Sequence, residues 1–298
     1  MVLGIDIGGT NVKFGIVDNN LKIIKKYSIK TLKTDDISMI NDIISKAKSI
    51  YEEFKFERIG IGSPGKIDSK NGICITAGNL PYNNTPIVKM FKKEFNMPVT
   101  LQNDGTCAVI GELNAGAGKI FDNFVILTLG TGIGGGIVID RKFYTGITSL
   151  AGEFGHMTIK YDGPECVCGN KGCFEMYASV TALIRQTESA VKKYPDSLLA
   201  KMCSQQITGK SAFESAQAGC PVGEMVVDRY IEYLSYGVNN LIRNFEPQAV
   251  IIGGAISNEG DNLLKPLKEK LPSTYKTKIE VSQLGNDAGI IGAACCVL

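Results

Sequence analysis

Leu3-Gly-Ile-Asp-Ile-Gly-Gly-Thr-Asn-Val-Lys-Phe-Gly-Ile-Val17 decides how this chain is read, because a second stretch repeats it. The second copy is Phe124-Val-Ile-Leu-Thr-Leu-Gly-Thr-Gly-Ile-Gly-Gly-Gly-Ile-Val138. A shift of 121 puts Gly9-Thr10 on Gly130-Thr131, and Gly15-Ile16-Val17 on Gly136-Ile137-Val138. Each copy reads as apolar strand, Gly/Thr turn, apolar strand, polar turn and third strand, the last being Lys22–Ile29 in the first copy. The polar turns fall at Asp18-Asn19-Asn20 and near Asp140-Arg141-Lys142. Two copies of one hairpin unit, each followed by helices, predict two related α/β domains with a cleft between them.

Working outward, residues 36–54 place Ile37, Ile40, Ile43, Ile44, Ala47, Tyr51 and Phe54 on one helical stripe opened by Asp35-Asp36. Arg58–Gly62 reads as a short strand entering the turn Ser63-Pro64-Gly65. Thr85-Pro86 opens a helix to about Phe95, with Pro at its first position. Val99–Gln102 is a strand, and Asn103-Asp104 begins a helix to about Gly116. Phe174–Lys193 and Gly223–Phe245 read as helices, and Ala249–Ile252 as a buried strand ending at Gly253-Gly254. A terminal helix, Asp287–Val297, can pack back on the first domain. The expected bounds are 1–116 with 286–298 for a smaller domain and 117–285 for a larger one.

The chain has 298 residues, 44% of them hydrophobic and 21% charged, which is ordinary globular usage. Lys+Arg 32 against Asp+Glu 30 gives a net charge of +2, which argues against a broad nucleic-acid surface. No run of about 18 apolar residues predicts a membrane span. The start, Met1-Val-Leu-Gly-Ile-Asp6, enters a strand at once and does not read as a signal peptide. Nine cysteines, an odd number with three crowded between Cys166 and Cys173, fit a reducing cytoplasm with one local metal cluster better than a disulfide framework.

The Gly-rich turns carry the first chemistry. Gly8-Gly9-Thr10, leading into Asn11, and Gly130-Thr131-Gly132-Ile133-Gly134 both follow apolar strands. Successive backbone N–H groups in such turns form an anion-binding concavity, and glycine admits the anion closely. A tight hairpin would account for either turn alone. Two facing one cleft can clamp a polyphosphate, and Gly253-Gly254 can hold the rest of a nucleotide. Asp6 ends the first strand beside its turn. It reads either as a cap for the turn amides or as a partner for Mg²⁺ through water, and the second reading is preferred. Lys13 lies across from the turn, either neutralising phosphate or merely solvated.

A second cluster is His156…Cys166-Val-Cys168-x₄-Cys173. One His and three Cys are the inventory of a tetrahedral Zn²⁺ site. Four protein ligands leave no open position, so this zinc is expected to be structural. The alternative is three buried thiols and a surface imidazole.

These motifs together resemble known ones. Asp6-Ile-Gly-Gly-Thr10, Leu129-Gly-Thr-Gly-Ile-Gly-Gly-Gly136 and Ile251-Ile-Gly-Gly-Ala255 are similar to the two phosphate motifs and the adenosine motif of the actin/hexokinase/Hsp70 superfamily. Gly152-Glu-Phe-Gly-His156 with Cys166-Val-Cys-Gly-Asn-Lys-Gly-Cys-Phe-Glu175 resembles the signature of the ROK family of repressors and sugar kinases. The resemblance runs from residue 3 to about 294. It implies an actin-like ATPase fold of two ribonuclease-H-like domains, ATP and Mg²⁺ as cofactors, and a homodimer or homotetramer. It also implies that the second ring nitrogen of His156 meets the sugar, joined by Glu153 and Glu175.

If His156 is spent on zinc, the general base cannot be histidine. Phosphoryl transfer needs positioning, Mg²⁺ and a carboxylate to take the hydroxyl proton. Asp104, with Asn103 at the end of a strand, is the best candidate; the residues alone leave open an Asp that only caps the following helix. The resemblance, in which an Asn-Asp pair stands here, favours the catalytic role. It further implies that Asn103, Gly65 and Asn79 bind sugar. Asn79-Leu-Pro-Tyr82 departs from the family's usual pattern, in which Trp is common after Asn-Leu-x.

The expected activity is ATP-dependent phosphorylation of a hexose at its 6-hydroxyl, with glucose first and N-acetylmannosamine or another N-acyl hexosamine as the alternative. A non-catalytic sugar sensor is the alternative of another class. A repressor would need a DNA-binding helix-turn-helix ahead of Asp6, where five residues leave no room.

Overall fold

In the first hairpin, Val2–Ile7 (β1) pairs antiparallel with Asn11–Val17 (β2), from Val2↔Val17 to Ile7↔Val12. The computed structural model describes residues 1–147 and 151–298. β2 continues into Ile23–Lys30 (β3), one residue later than expected, because Asp18 N–H donates to Lys22 O at 3.0 Å and keeps Lys22 in the turn. Helix α1 (Asp36–Glu53) starts at Asp35, whose carboxylate accepts Ser38 N–H, and it buries Met39, Ile40, Ile43, Ile44, Ala47 and Ile50. Arg58–Ser63 (β4) pairs parallel with β1. A two-stranded ribbon follows, Lys66–Asp68 (β5) with Ile73–Thr76 (β6).

Helix α2 spans Ile87–Glu94, so Pro86 is its cap and not its first helical residue. The physical reason is that Thr85 exchanges both backbone hydrogen bonds with Cys74, which holds the chain extended up to the proline. Val99–Asn103 (β7) completes the sheet, whose order is β3-β2-β1-β4-β7, and Asp104–Ala115 (α3) follows it directly.

The second half repeats this order. Phe124–Leu129 (β8), Ile133–Ile139 (β9) and Lys142–Tyr144 (β10) form the antiparallel part. The expected helix Phe174–Lys193 is two helices, Glu175–Ala178 (α4) and Val180–Lys193 (α5). Ser179 breaks it: its backbone is extended and its hydroxyl accepts Ala182 N–H, so it caps the second helix. Leu198–Met202 (α6) and Ser211–Gln217 (α7) lead to Pro221–Phe245 (α8), which begins two residues before expected, with proline in the first turn. Ala249–Gly254 (β11), Asp261–Glu269 (α9) and Lys278–Val281 (β12) close a sheet of order β10-β9-β8-β11-β12.

Register refines the repeat. Asp6 faces Lys13 in the first hairpin, and Thr128 faces Gly134 in the second. The second strands match at a shift of 121, but the first strands match at 122. The cause is turn length: Ile7↔Val12 encloses four residues, Leu129↔Ile133 only three. The structural counterpart of Asp6 is therefore Thr128.

The chain divides into two compact units, Met1–Lys119 with Gln283–Leu298, and Ile120–Ser282. The C-terminal helix Ala288–Cys295 (α10) belongs to the first. It packs backbone to backbone: a Cβ on Gly60 would lie 1.8 Å from Ala293 O, and one on Gly292 would lie 1.7 Å from Cys107 O. Only glycine allows α10 to reach β4 and α3 this closely. Glu112 of α3, 1% exposed, ties down both chain crossings. Its carboxylate accepts Ala117 N–H at 2.8 Å, Gln283 N–H at 3.2 Å and Leu284 N–H at 2.9 Å. Among the described residues no helix is long and apolar enough to cross a membrane.

Candidate active site

In the first unit, the parallel strands β1, β4 and β7 end beside one another and deliver Asp6, Ser63 and Asn103. Asn103 has the capping duty: its Oδ1 accepts Thr106 N–H at 3.1 Å. Asp104 is thereby relieved of it and bonds only at short range, Oδ1 accepting Gly105 N–H at 2.8 Å. Burial pushes the Asp104 carboxyl above the ordinary carboxylate range, against the pull of hydrogen bonds from Gly105, its own amide and Asn103. Asp6 is also raised, first by burial and further by the charge of Asp104, while Lys13 opposes the rise. Its Oδ2 lies 3.8 Å from Lys13 Nζ. The two carboxyls thus sense each other, the pattern expected where one group stays charged for metal or proton work.

The first turn is braced from outside. Gly8 N–H donates to Asn11 O at 3.0 Å, Thr31 Oγ1 donates to Gly8 O at 2.7 Å, and Thr31 N–H donates to Thr10 O at 3.0 Å. Asn79 stands against this turn: a Cβ on Gly9 would come within 2.7 Å of its Nδ2. Asn103 Nδ2 donates to Gly65 O at 3.3 Å, so two residues expected to bind sugar meet directly. Tyr82, buried, shares a 2.9 Å hydrogen bond with Ser63 Oγ.

In the second unit, the turn Gly130–Gly132 rests on the start of α5. Val180 N–H donates to Gly130 O and Thr181 Oγ1 to Thr131 O, each at 2.8 Å. Both bonds use turn carbonyls and neither uses a turn amide, and successive backbone amides of such a turn can face an anion. Gly134 is small because Thr128 faces it: a Cβ there would lie 2.6 Å from Thr128 Oγ1. Gly253 and Gly254 pair with Thr128 and Leu129, so the third glycine motif adjoins the second hairpin. Ile133 is buried and starts β9.

The Cys/His cluster is assembled. The ligand atoms of His156, Cys166, Cys168 and Cys173 all lie within 4.8 Å of one another. His156 Nδ1 is 3.6 Å from Cys166 Sγ, and Cys168 Sγ is 3.6 Å from Cys173 Sγ. Tetrahedral ligands at the usual Zn–S distance stand about 3.7 Å apart, so the spacing fits that ion. The loop closes through Cys166 N–H to Asn170 O and a left-handed Gly172, whose Cβ would collide with Lys160 O. His156 turns Nδ1 toward the thiols, which leaves Nε2 on the other side of the ring. Glu175 Oε1 lies 3.2 Å from Cys166 Sγ and 3.4 Å from His156 Nδ1. The same carboxylate reaches the phosphate-type turn: a Cβ on Gly132 would be 2.7 Å from Glu175 Oε2. Glu153 is exposed at the start of the 3-10 turn Phe154–His156, its carbonyl accepting His156 N–H.

Sequence reading missed Thr31, Thr128 and Thr181. Thr31 and Thr181 hold the two turns, and Thr128 is recognisable only once the register shows it opposite Gly134. It also gave no role to Tyr82, whose hydroxyl bonds the Ser63-Pro64-Gly65 turn.

Two sheets of the same strand order, each opening with a Gly/Thr hairpin, define an actin-like ATPase fold. Within that class the chain belongs to the ROK family, whose model matches residues 2–298. It is 39% identical to a glucokinase of Thermotoga maritima, over 99% of this chain and 96% of that one. It is 34% identical to a glucokinase of Halalkalibacterium halodurans, covering 99% and 94%. A ROK glucokinase of Streptomyces griseus, crystallised with glucose and AMPPNP, superposes with a TM-score of 0.81 at 31% identity, covering 99% of this chain and 98% of that one.

Proposed function

We propose that the protein transfers the γ-phosphoryl group of ATP to the 6-hydroxyl of glucose. The observation that carries the mechanism is Asp104, a raised carboxyl at a strand-to-helix junction that Asn103 frees from capping. Asp104 takes the proton of the sugar hydroxyl as that oxygen attacks the γ-phosphorus, and ADP leaves. The residues this reading assigns to the sugar are Asn103, Gly65 and Asn79 in the first unit and His156 through Nε2, Glu153 and Glu175 in the second. Gly8, Gly9, Thr10, Asn11 and Lys13, with Thr131, Gly132, Ile133 and Gly134, hold the phosphates, and Gly253 and Gly254 take the nucleoside. Asp6 would hold Mg²⁺, which would supply charge neutralisation on the phosphates. His156, Cys166, Cys168 and Cys173 would hold a structural Zn²⁺, which would stiffen their loop. The same reading puts the protein in the cytoplasm, where thiols stay reduced, as a homodimer or homotetramer.

The Streptomyces griseus complex with glucose and AMPPNP supports this substrate pair. The test is a coupled ADP-release assay across glucose, mannose, allose, fructose and the N-acetyl hexosamines. The expected result is the highest kcat/KM with glucose. A higher value with N-acetylmannosamine would move the substrate to the N-acyl hexosamines. Sugar binding without ADP release would make the protein a sensor and overturn the kinase reading.

A further inference from the structure

Gly289 sits in the first turn of α10, where alanine would be the better helix former. Its missing side chain therefore answers to something outside the helix. A Cβ on it would lie 2.8 Å from Asp6 Cγ and 3.0 Å from both Oδ1 and Oδ2, its three nearest heavy atoms. With C–O bonds of about 1.2 Å, those distances stand above the flat face of the carboxylate and not at its edge. Hydrogen-bond donors approach such oxygens near the plane of the group. A neighbour over the face thus orients the carboxylate and leaves its oxygens open. Carbon atoms pack at about 3.5–4.0 Å, so a methyl group in this place would have to turn the carboxylate away.

Within the sheet, Asp6 has one charged neighbour and one empty one. Its partner on β2 is Lys13, whose Nζ is 3.8 Å from Oδ2; its partner on β4 is Gly62, which has no side chain to offer. The first turn of α10 is itself held in place. Asp287 gives its carboxylate to Lys26 at 2.6 Å and not to the helix start. Glu112 accepts the amides of Gln283 and Leu284. A Cβ on Gly4 would lie 2.3 Å from Ile290 O, so the strand that carries Asp6 meets the residue after Gly289 through backbone. All of these ties lie in the first unit. We infer that Gly289 is a positioning residue: lying over the face of Asp6, it sets the plane of the oxygens assigned above to Mg²⁺. The packing of Gly289 on Asp6 stands by itself; its consequence for the metal rests on the kinase reading.

The two glycines of α10 separate this role from plain packing. A Cβ on Gly292 would meet backbone, 1.7 Å from Cys107 O, and the helix would have to move. One on Gly289 meets the end of a short side chain, which can rotate. Gly289→Ala should therefore keep a Tm close to that of the parent, and Gly292→Ala should lower it clearly.

The test is isothermal titration of the full chain with AMPPNP, with Mg²⁺ and in magnesium-free buffer. Gly289→Ala should weaken binding in Mg²⁺ about tenfold or more, and leave metal-free AMPPNP and glucose unchanged. In an Asp6→Ala background, where the carboxylate is gone, the same substitution should change nothing further. A second readout needs no ligand. The carboxyl carbon resonance of Asp6, assigned by its loss in Asp6→Asn, should shift in Gly289→Ala. A resonance that stays in place overturns the proposal in every case. Where the parent binds AMPPNP more tightly with Mg²⁺, four further results overturn it: an unchanged affinity in Gly289→Ala, an equal loss for metal-free AMPPNP, a loss that persists in Asp6→Ala, or a Tm as low as that of Gly292→Ala. A parent that binds AMPPNP alike with and without Mg²⁺, while the resonance still moves, breaks the metal assignment of Asp6 and upholds its positioning by Gly289.

Discussion

The first hairpin sets Asp6 opposite Lys13, and the second, with the same pairing and sheet order, sets Thr128 opposite Gly134. One copy spends the position on a half-buried ion pair with a raised carboxyl; the other spends it on a hydroxyl and an empty Cβ. The frame is shared and the chemistry is not. The difference extends outward from the strands. The first unit gathers carboxyls, with Asp104 close enough to raise Asp6. The second gathers soft ligands, a Cys₃His cluster with Glu175 against it. One backbone pattern thus carries different residue chemistry in its two copies, carboxyls in one and a Cys₃His cluster in the other.

The largest expected effect tests the acidic half. Asp104→Asn should lower turnover by about 10²-fold or more, read by ADP release, while zinc content stays at that of the parent. Unchanged turnover would remove Asp104 from the mechanism. The softer half is tested by Cys168→Ser. It should abolish stoichiometric zinc in elemental analysis and open residues 156–175 to proteolysis, while strands of the first unit keep their hydrogen-exchange protection. Glu112→Ala should cost about 1–3 kcal/mol in urea unfolding, because one buried and two part-buried backbone donors lose their acceptor at once. Thr128→Asp would make the second hairpin resemble the first, but without a lysine opposite. It should cost about 1–3 kcal/mol, and a neutral result would show that the ion pair at Asp6 is not needed to keep an acid there.

The smallest effect is in pH. The raised Asp104 carboxyl must be ionised to act as base, so kcat/KM should fall on the acid side already above the ordinary carboxylate range. Stability runs the other way. A carboxyl raised on folding destabilises the native state above its folded pKa, and that cost disappears as pH falls through it. Asp104→Asn should therefore show a Tm no lower than the parent at pH 7, with the gain lost in acid. A Tm clearly below the parent at pH 7 contradicts the burial argument.

Apolar strands closed by Gly/Thr turns made β1, β2, β8 and β9 legible, and the CxC…C spacing made the metal cluster legible. The one-residue difference between the two turns was hidden, because Gly132-Ile-Gly-Gly-Gly136 has few side chains to set a register. The break at Ser179 was hidden because serine is tolerated inside helices and its capping bond shows only in three dimensions. Ile73–Thr76 and Lys278–Val281 are four-residue strands and carry too little pattern to be seen. The amide of Asn79 lies against Gly9, and no local spacing encodes that contact.

Glu112 would have passed as an ordinary helical glutamate. Because its one carboxylate moors the polypeptide both where it departs near Ala117 and where it comes home at Gln283, the two passages are not independent engineering sites. A tag or insertion spliced into either one tugs on the same helix whose first residue is Asp104.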